Sequence, residues 1–498
     1  MNRADLISIL PEMILTGGGI VIVLLDALLP GLRRGWTAVA LATTAISAWA
    51  AWFAWGELAG GKGGGGAAAA GAVPSWNRLL ETSGVTVAFS VVILVATALC
   101  LLASQGYLRR EKILSGEYHA LLLWCAAGML LMLRSIELLT VFLSLELLSI
   151  ALYCLAAYHR KVNVAVEAAI KYFLMGAFVS AFVLYGIALV YGASGSTRFE
   201  EIGQLFAGGH GGVSGHGSTL LASLGLLLLV AGFGFKMSLV PFHAWSPDTY
   251  QGAPSPFVAF LSVAPKVASA LVLYRLLALV APSAAGARWS GAVALLSALS
   301  MVVGNLLALA QSDIKRMLAY SGIAHMGYLL LALVTLSRES LTPVIVYLLA
   351  YALMNAGAFT VVSMLYSRPG GKHDMAELAG WGYRFPLLGG CLAVCMLSLG
   401  GIPPTMGFLG KYLVFLNAIA AGHVKLAVLG VATSLVGVFY YLRVVYILYM
   451  RPESRHPEGL LIDGWGRAAA VLAALATIVL GLFPSDLLQW LIVATGAG

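Results

Sequence analysis

The sequence predicts an all-α integral membrane protein of about fourteen transmembrane helices, two of them broken, on three observations. The 498 residues are 60% hydrophobic and only 10% charged, whereas soluble domains are roughly one-quarter charged. Apolar runs of about 20 residues, each enough to span a bilayer, recur along the whole chain. Two of these runs are interrupted by proline and glycine beside a lysine: LLLVAGFGFKMSLVPFHAWSPDTYQGAPSPFVAFLSV (227–263) and, within 386–418, GGIPPTMGFLGKY. In hydrocarbon every peptide group needs an internal partner, so a broken helix survives only where it is buried in protein or lines a hydrated cavity. Both interruptions therefore read as working sites.

In chain order the runs fall at 6–29, 36–57, 84–104, 118–133, 136–158, 166–191, 218–240, 256–280, 289–311, 317–336, 341–366, 386–418, 424–450 and 467–492. Pro11 fits a helix start, and no short apolar segment with a small-residue cleavage site follows a basic start, so the first run reads as an uncleaved helix. Glu12 and Asp26, near its two ends, are expected at the interface. Arg275 and Arg443 are expected to snorkel toward it. Cys100, Cys125, Cys154, Cys391 and Cys395 all lie in apolar runs without C-x-x-C spacing. Cys391 and Cys395 therefore read as small core residues, and no metal site is expected.

Lysine and arginine set the orientation. The connections after runs 1, 3, 5, 9, 11 and 13 hold 15 of them, including Arg109, Arg110, Lys315, Arg316, Arg368, Lys372 and Arg455. The N-terminus and the opposite connections hold 8, among them Lys62, Arg78, Arg198 and Arg338. The positive-inside rule makes the first set cytoplasmic and, with an even helix count, puts both termini outside. The net charge of +8 thus belongs to loops at a lipid bilayer and implies no nucleic-acid partner. Two low-complexity connections, 56–74 and 192–218, stand apart, and the first reads as a flexible loop. Gly56 to Gly63 nearly spells a phosphate-binding loop, but Gly63 stands where Ser or Thr should hold magnesium and no strand precedes it. His210 and His216 are too sparse for a metal site.

A weak repeat at an offset of 177 lays RSIELLTVFLSLELLSIALYCL (134–155) over QSDIKRMLAYSGIAHMGYLLLA (311–332). The same offset carries Lys236 to within two residues of Lys411, so charge and break recur together. Five helices per unit is an odd number, so the copies must be inverted, a transporter signature. The expected units are 1–117, 118–280 and 281–450 with a final helix in 451–498.

Buried charge carries the functional reading. A charged group at mid-bilayer costs about 3 kcal/mol even on lenient scales. Lys171 has a local partner in Glu167 at i, i+4. Lys236, Lys266 and Lys411 have none within one turn, and an amine in a low-dielectric setting can release its proton and so relay one. Glu137 and Glu146, nine residues apart, fall on opposite helix faces. Glu137 is near the charged boundary, and Glu146 is about 15 Å deeper by helix rise. A carboxylate about 4 Å from a lysine is worth about 4 kcal/mol at an effective dielectric of about 20, so moving Glu146 relative to Lys236 would switch the lysine between holding and releasing its proton. His243 and His325 are candidates to pass protons onward.

The stretches VFLSLELLSIALYCL, GFGFKMSLVPFHAWSPDTYQGAPSPFVAFLSVAPKVA, QSDIKRMLAYSGIAHMGYLLLAL and LSLGGIPPTMGFLGKYLVF resemble the proton-pumping antiporter-like subunits of bacterial NADH:quinone oxidoreductase, respiratory complex I. The resemblance implies fourteen helices with inverted five-helix repeats and a proton path from Glu146 and Lys236 through Lys266 to Lys411. It implies a bacterial inner-membrane location, other membrane and peripheral subunits as partners, and NADH, FMN, iron–sulfur clusters and quinone in those partners, with no cofactor in this chain. Residue chemistry alone leaves three classes open: a subunit of a redox-driven proton pump, a cation/proton antiporter subunit, and a non-transporting scaffold. Unpaired mid-membrane lysines disfavour the last.

Overall fold

A computed structural model describes residues 3–60, 72–207, 216–283, 286–366, 373–452 and 462–496. Lys62, His210, Arg368, Lys372, Arg455 and residues 61–71 and 208–215 of the two glycine-rich connections lie outside the described residues, as does the side chain of His216. The helices are α1 (Arg3–Leu28), α2 (Trp36–Gly60), α3 (Gly84–Arg110), α4 (Gly116–Arg134), α5 (Leu138–Ala156), α6 (Asn163–Ser194), α7 (Phe199–Phe206), α8 (His216–Lys236), α9 (Trp245–Gly252) and α10 (Ser255–Leu261). They continue with α11 (Ala264–Val280), α12 (Gly286–Leu309), α13 (Ile314–Leu333), α14 (Leu341–Leu365), α15 (Trp381–Arg384), α16 (Pro386–Gly400), α17 (Met406–Ala420), α18 (Val424–Met450), α19 (Gly464–Leu482) and α20 (Ser485–Thr495). A two-stranded hairpin, β1 (Val73–Ser75) and β2 (Leu80–Thr82), joins α2 to α3.

Twelve helices among the described residues are long and apolar enough to cross a membrane. The runs at 317–336 and 386–418 are not among the twelve. α13 opens on Lys315 and Arg316 and carries His325, and 386–418 is split into the 15-residue helices α16 and α17. The span holding α14 is wholly buried, and those of α10/α11 and α3 nearly so, whereas only 28% of the α6 span is. α14 packs against α3, α10, α16, α17 and α19. It is the central post of the bundle.

Both expected breaks are present, and each repairs its own backbone. After α8 ends at Lys236 the chain turns through Ser238 (φ 60°) and a cis Val240–Pro241 bond. Trp245 Nε1 donates to Phe235 O (2.9 Å), and Val240 N donates to Ser300 Oγ (3.0 Å). The second break runs through Gly401 (φ 80°) and a cis Pro403–Pro404 bond. There Gly407 N donates to Ser398 Oγ (3.1 Å), and the Lys411 ammonium donates to the orphan carbonyls of Leu399 (2.9 Å) and Gly400 (3.1 Å). Side chains thus supply the partners that helix continuity would have given.

Five sequence expectations need correction. The run 256–280 is two helices, because Pro265 in the first turn of α11 lacks the N–H that would carry α10 through. The run 467–492 likewise breaks at Phe483 and Pro484 into α19 and α20. Glu12 is not interfacial but buried, paired with Arg134 (3.1 Å), whose guanidinium also donates to Thr82. Arg275 does not snorkel: it donates to Leu133 O (2.8 Å) and Ser135 O (2.7 Å) and pairs with Glu81. Asp26 is also buried, accepting from Trp36 Nε1 (2.8 Å) and Gly116 N (3.1 Å). Cys391 and Cys395 are buried, as expected of core residues.

Candidate functional site

The first lysine stands at the carbonyl end of α8, where the helix dipole favours a cation. Lys236 is 3% exposed, and its ammonium donates to Ser149 Oγ of α5 (2.8 Å). It also faces the rings of Tyr153 (5.5 Å) and Tyr172 (5.8 Å), within cation–π range. Glu146 lies one turn before Ser149 on α5, which puts the two on neighbouring turns of one face. No ion pair joins Glu146 to Lys236 among the described residues, and one Glu146 oxygen is buried without a partner there. Glu137 is the N-cap of α5, accepting from Thr140 N (2.7 Å) and Oγ1 (2.8 Å). Burial alone would raise this carboxyl; hydrogen bonds from Thr197 and Thr140 outweigh it and hold it below the usual carboxylate range.

An aromatic ladder leads from the first lysine to the second. Tyr172 stacks on Trp245 (4.6 Å), Trp245 meets the edge of Tyr250 (6.2 Å), and the Lys266 ammonium lies over Tyr250 (5.8 Å). The hydroxyls of Tyr153, Tyr172 and Tyr250 are buried without a protein partner among the described residues. Because the run breaks at Ser262, Lys266 sits in the first turn of α11 rather than deep inside a helix. Its ammonium donates to Tyr351 Oη (3.4 Å), which also accepts from Asn355 Nδ2 (3.3 Å); that same amide donates to Ser262 Oγ (2.7 Å) at the break.

From there a polar row continues through α13. His325 Nδ1 bonds the Tyr347 hydroxyl (2.6 Å) and Nε2 bonds that of Tyr441 (3.0 Å), which in turn bonds Ser321. A neutral imidazole can donate on one side and accept on the other. Tyr440 donates to Asn305 Oδ1 (3.0 Å), Asn305 Nδ2 to Tyr328 (2.9 Å) and Tyr328 to Thr433 (3.3 Å). The Lys411 ammonium lies over the Tyr328 ring (5.3 Å) and donates to Ser434 Oγ (2.8 Å) as well as to the two carbonyls of the second break.

Lys171 and His243 stand apart from this row. Lys171 is half-exposed and pairs with Glu167 (2.8 Å), as its spacing predicted, and with Asp248 (3.3 Å). Asp248 also holds Arg316 (2.7 Å), so one carboxylate of α9 ties α6 to α13. His243 lies in the first break, half-buried, and its Nδ1 has no partner among the described residues. Sequence reading overlooked Tyr328, Tyr347, Tyr351, Asn355, Tyr441 and Asn305. A signal existed: Tyr347, Tyr351 and Asn355 recur every four residues, a polar stripe on the otherwise apolar α14.

Residues 135–437 match the family described as "NADH:quinone oxidoreductase/Mrp antiporter, TM". The NADH-quinone oxidoreductase subunit N of Trichlorobacter lovleyi is 38% identical over 489 residues, covering 97% of this chain and 95% of the relative. The chain belongs to this family. A chain of respiratory complex I from Thermus thermophilus, solved with bound aureothin, superposes with a TM-score of 0.79 at 36% identity, covering 97% of this chain and 99% of that one. A chain of the Mrp complex from Dietzia sp. DQ12-45-1b shares the fold (TM-score 0.83, 100% and 97% covered) at 19% identity. As a family member of this build the chain is a multi-pass membrane protein, and the lysines of the row lie inside the matched region, as do both breaks.

Proposed function

We propose that the chain is the proton-translocating subunit N type of membrane subunit in a bacterial inner-membrane NADH:quinone oxidoreductase. Glu146, Lys236, Lys266, His325 and Lys411 carry the proton. The observation that carries this reading is the buried polar row itself, which threads three lysines and a histidine through an apolar bundle. Buried polar atoms are ordinarily hydrogen-bonded, and orphan ones are commonly met by water. The unpartnered hydroxyls between Lys236 and Lys266 mark where water completes the path.

Glu146 modulates Lys236 from one turn before Ser149, the lysine's partner on α5, Lys266 links the two halves, and Lys411 closes the row. His243 and Lys171 serve at its margin, Lys171 through the Asp248 network. Helices in 118–280 and 281–450 act as inverted units flanked by 1–117 and 451–498, and both termini face outside. Moving a charge against the field costs about 2.3 kcal/mol per 100 mV. Redox chemistry in partner subunits, which hold NADH, FMN, iron–sulfur clusters and quinone, supplies it.

Reconstitution decides the matter. In vesicles holding the whole complex, Lys266→Ala should abolish proton uptake driven by NADH while the complex stays assembled. The purified wild-type chain alone should exchange no cations for protons under an imposed ion gradient; robust exchange by it would make the antiporter reading the right one.

A further inference from the structure

Three glycines lie where α12, α13 and α14 meet the row, and one differs in kind. A Cβ on Gly304 would fall 2.6 Å from Ala324 N, and one on Gly327 would fall 2.6 Å from Met301 N. Those two glycines let the α12 and α13 backbones approach each other. Among the described residues, and outside its own helix turns, a Cβ on Gly322 would meet no backbone within 4 Å. Its nearest atoms would be Tyr351 Oη (2.7 Å) and Lys266 Nζ (3.0 Å). A glycine inside a helix costs stability relative to alanine, and helix packing does not account for this one. Gly322 also stands one turn before His325, on the same side of α13, and the Tyr351 ring lies 5.2 Å from the imidazole.

We propose that Gly322 is a positioning residue for the proton step between Lys266 and His325, an inference that rests on the relay read above. Its bare backbone is the seat against which the lysine ammonium and the Tyr351 hydroxyl lie. In the step, an N–H bond of the ammonium breaks and leaves a neutral amine. The proton passes to the Tyr351 hydroxyl, which gives up its own as it accepts, and a new N–H forms on the imidazole nitrogen that had been accepting from Tyr347 or Tyr441, whose hydroxyl turns its hydrogen away. A methyl group at Gly322 would displace the Tyr351 hydroxyl and push the amine out of line by a few tenths of an ångström.

The test is Gly322→Ala in the intact complex, read by assembly on native gels, NADH-driven proton uptake in vesicles and the pH profile of quinone reduction. Misplacement of a reacting group by about 1 Å can cost about 100-fold, so a smaller shift should lower coupled turnover by about tenfold, with assembly intact and the pH optimum displaced. Unchanged turnover in an assembled complex would overturn the proposal. Should Gly322→Ala not assemble, Gly322→Ala with Tyr351→Phe removes the atom nearest the new methyl. Recovered assembly then supports the seat, and continued failure assigns the glycine to packing and overturns it. Lys266→Ala separates the two readings: if it pumps normally the relay itself falls, whereas if it is inactive beside a normal Gly322→Ala only the seat falls.

Discussion

The two broken helices hold their lysines in opposite ways. Lys236 ends the helix before its break and gives one of its three ammonium hydrogens to Ser149. Lys411 follows its break, reaches back across it, and spends three donors on Leu399 O, Gly400 O and Ser434. Among the described residues the first ammonium has one hydrogen-bond partner and is under-coordinated, whereas the second has three and is saturated. An ammonium with free donors responds to a neighbour that moves, and one that staples its own helix break does not. The first break is thus built to be switched and the second to be held.

The largest expected difference is one of stability. Lys411→Met leaves two buried carbonyls without a partner, at about 1–3 kcal/mol each. Lys236→Met forfeits a single hydrogen bond worth about 1 kcal/mol. Thermal unfolding of the purified complex should therefore fall clearly further for Lys411→Met, while proton uptake drops, without vanishing, in both. Equal shifts would erase the distinction between the two breaks.

A second measurement sharpens it. If Glu146 acts by modulating the under-coordinated lysine, Glu146→Gln combined with Lys236→Ala should cost uptake little more than Lys236→Ala alone, since members of one unit are non-additive. The same Glu146→Gln paired with Lys411→Met should be closer to additive. Additivity in the first pair would put Glu146 in a separate step.

The smallest effect concerns the cap that holds α5 in place. Glu137→Ala should destabilise by about 1 kcal/mol, as cap losses do. The Glu137 carboxyl is held below its usual range in the fold. Its contribution is therefore present above the ordinary carboxylate pKa and lost as pH falls through the lowered one. The gap between wild type and Glu137→Ala should close on acidification from neutral pH, and a gap that persists in acid would deny the charge its part.

What the sequence disclosed follows from cost. Lys236, Lys266 and Lys411 were legible because an amine in an apolar run is expensive enough to demand a reason. Both main breaks were legible because proline and glycine cannot continue a helix unaided. The tyrosines were not, since Tyr is as much a core filler as a proton carrier, and only the every-fourth-residue stripe on α14 separates the two. The Glu12–Arg134 pair joins residues 122 apart in the chain, a relation that local spacing does not carry. The split at Ser262 had a local sign in Pro265, hidden by the length of the apolar run around it.

The burial of α14 bears on how the chain is made. Ribosomes deliver helices to the bilayer in order, so α3, almost entirely enclosed in the finished bundle, enters long before the post it packs against. Until α14 arrives, the facing sides of α3 and α10 must be covered by lipid or by a helper protein, and the pair Glu12–Arg134 can already hold the first helices together. Assembly of the bundle therefore waits on its middle, and truncation anywhere before Leu341 should leave helices that insert but do not close around one another.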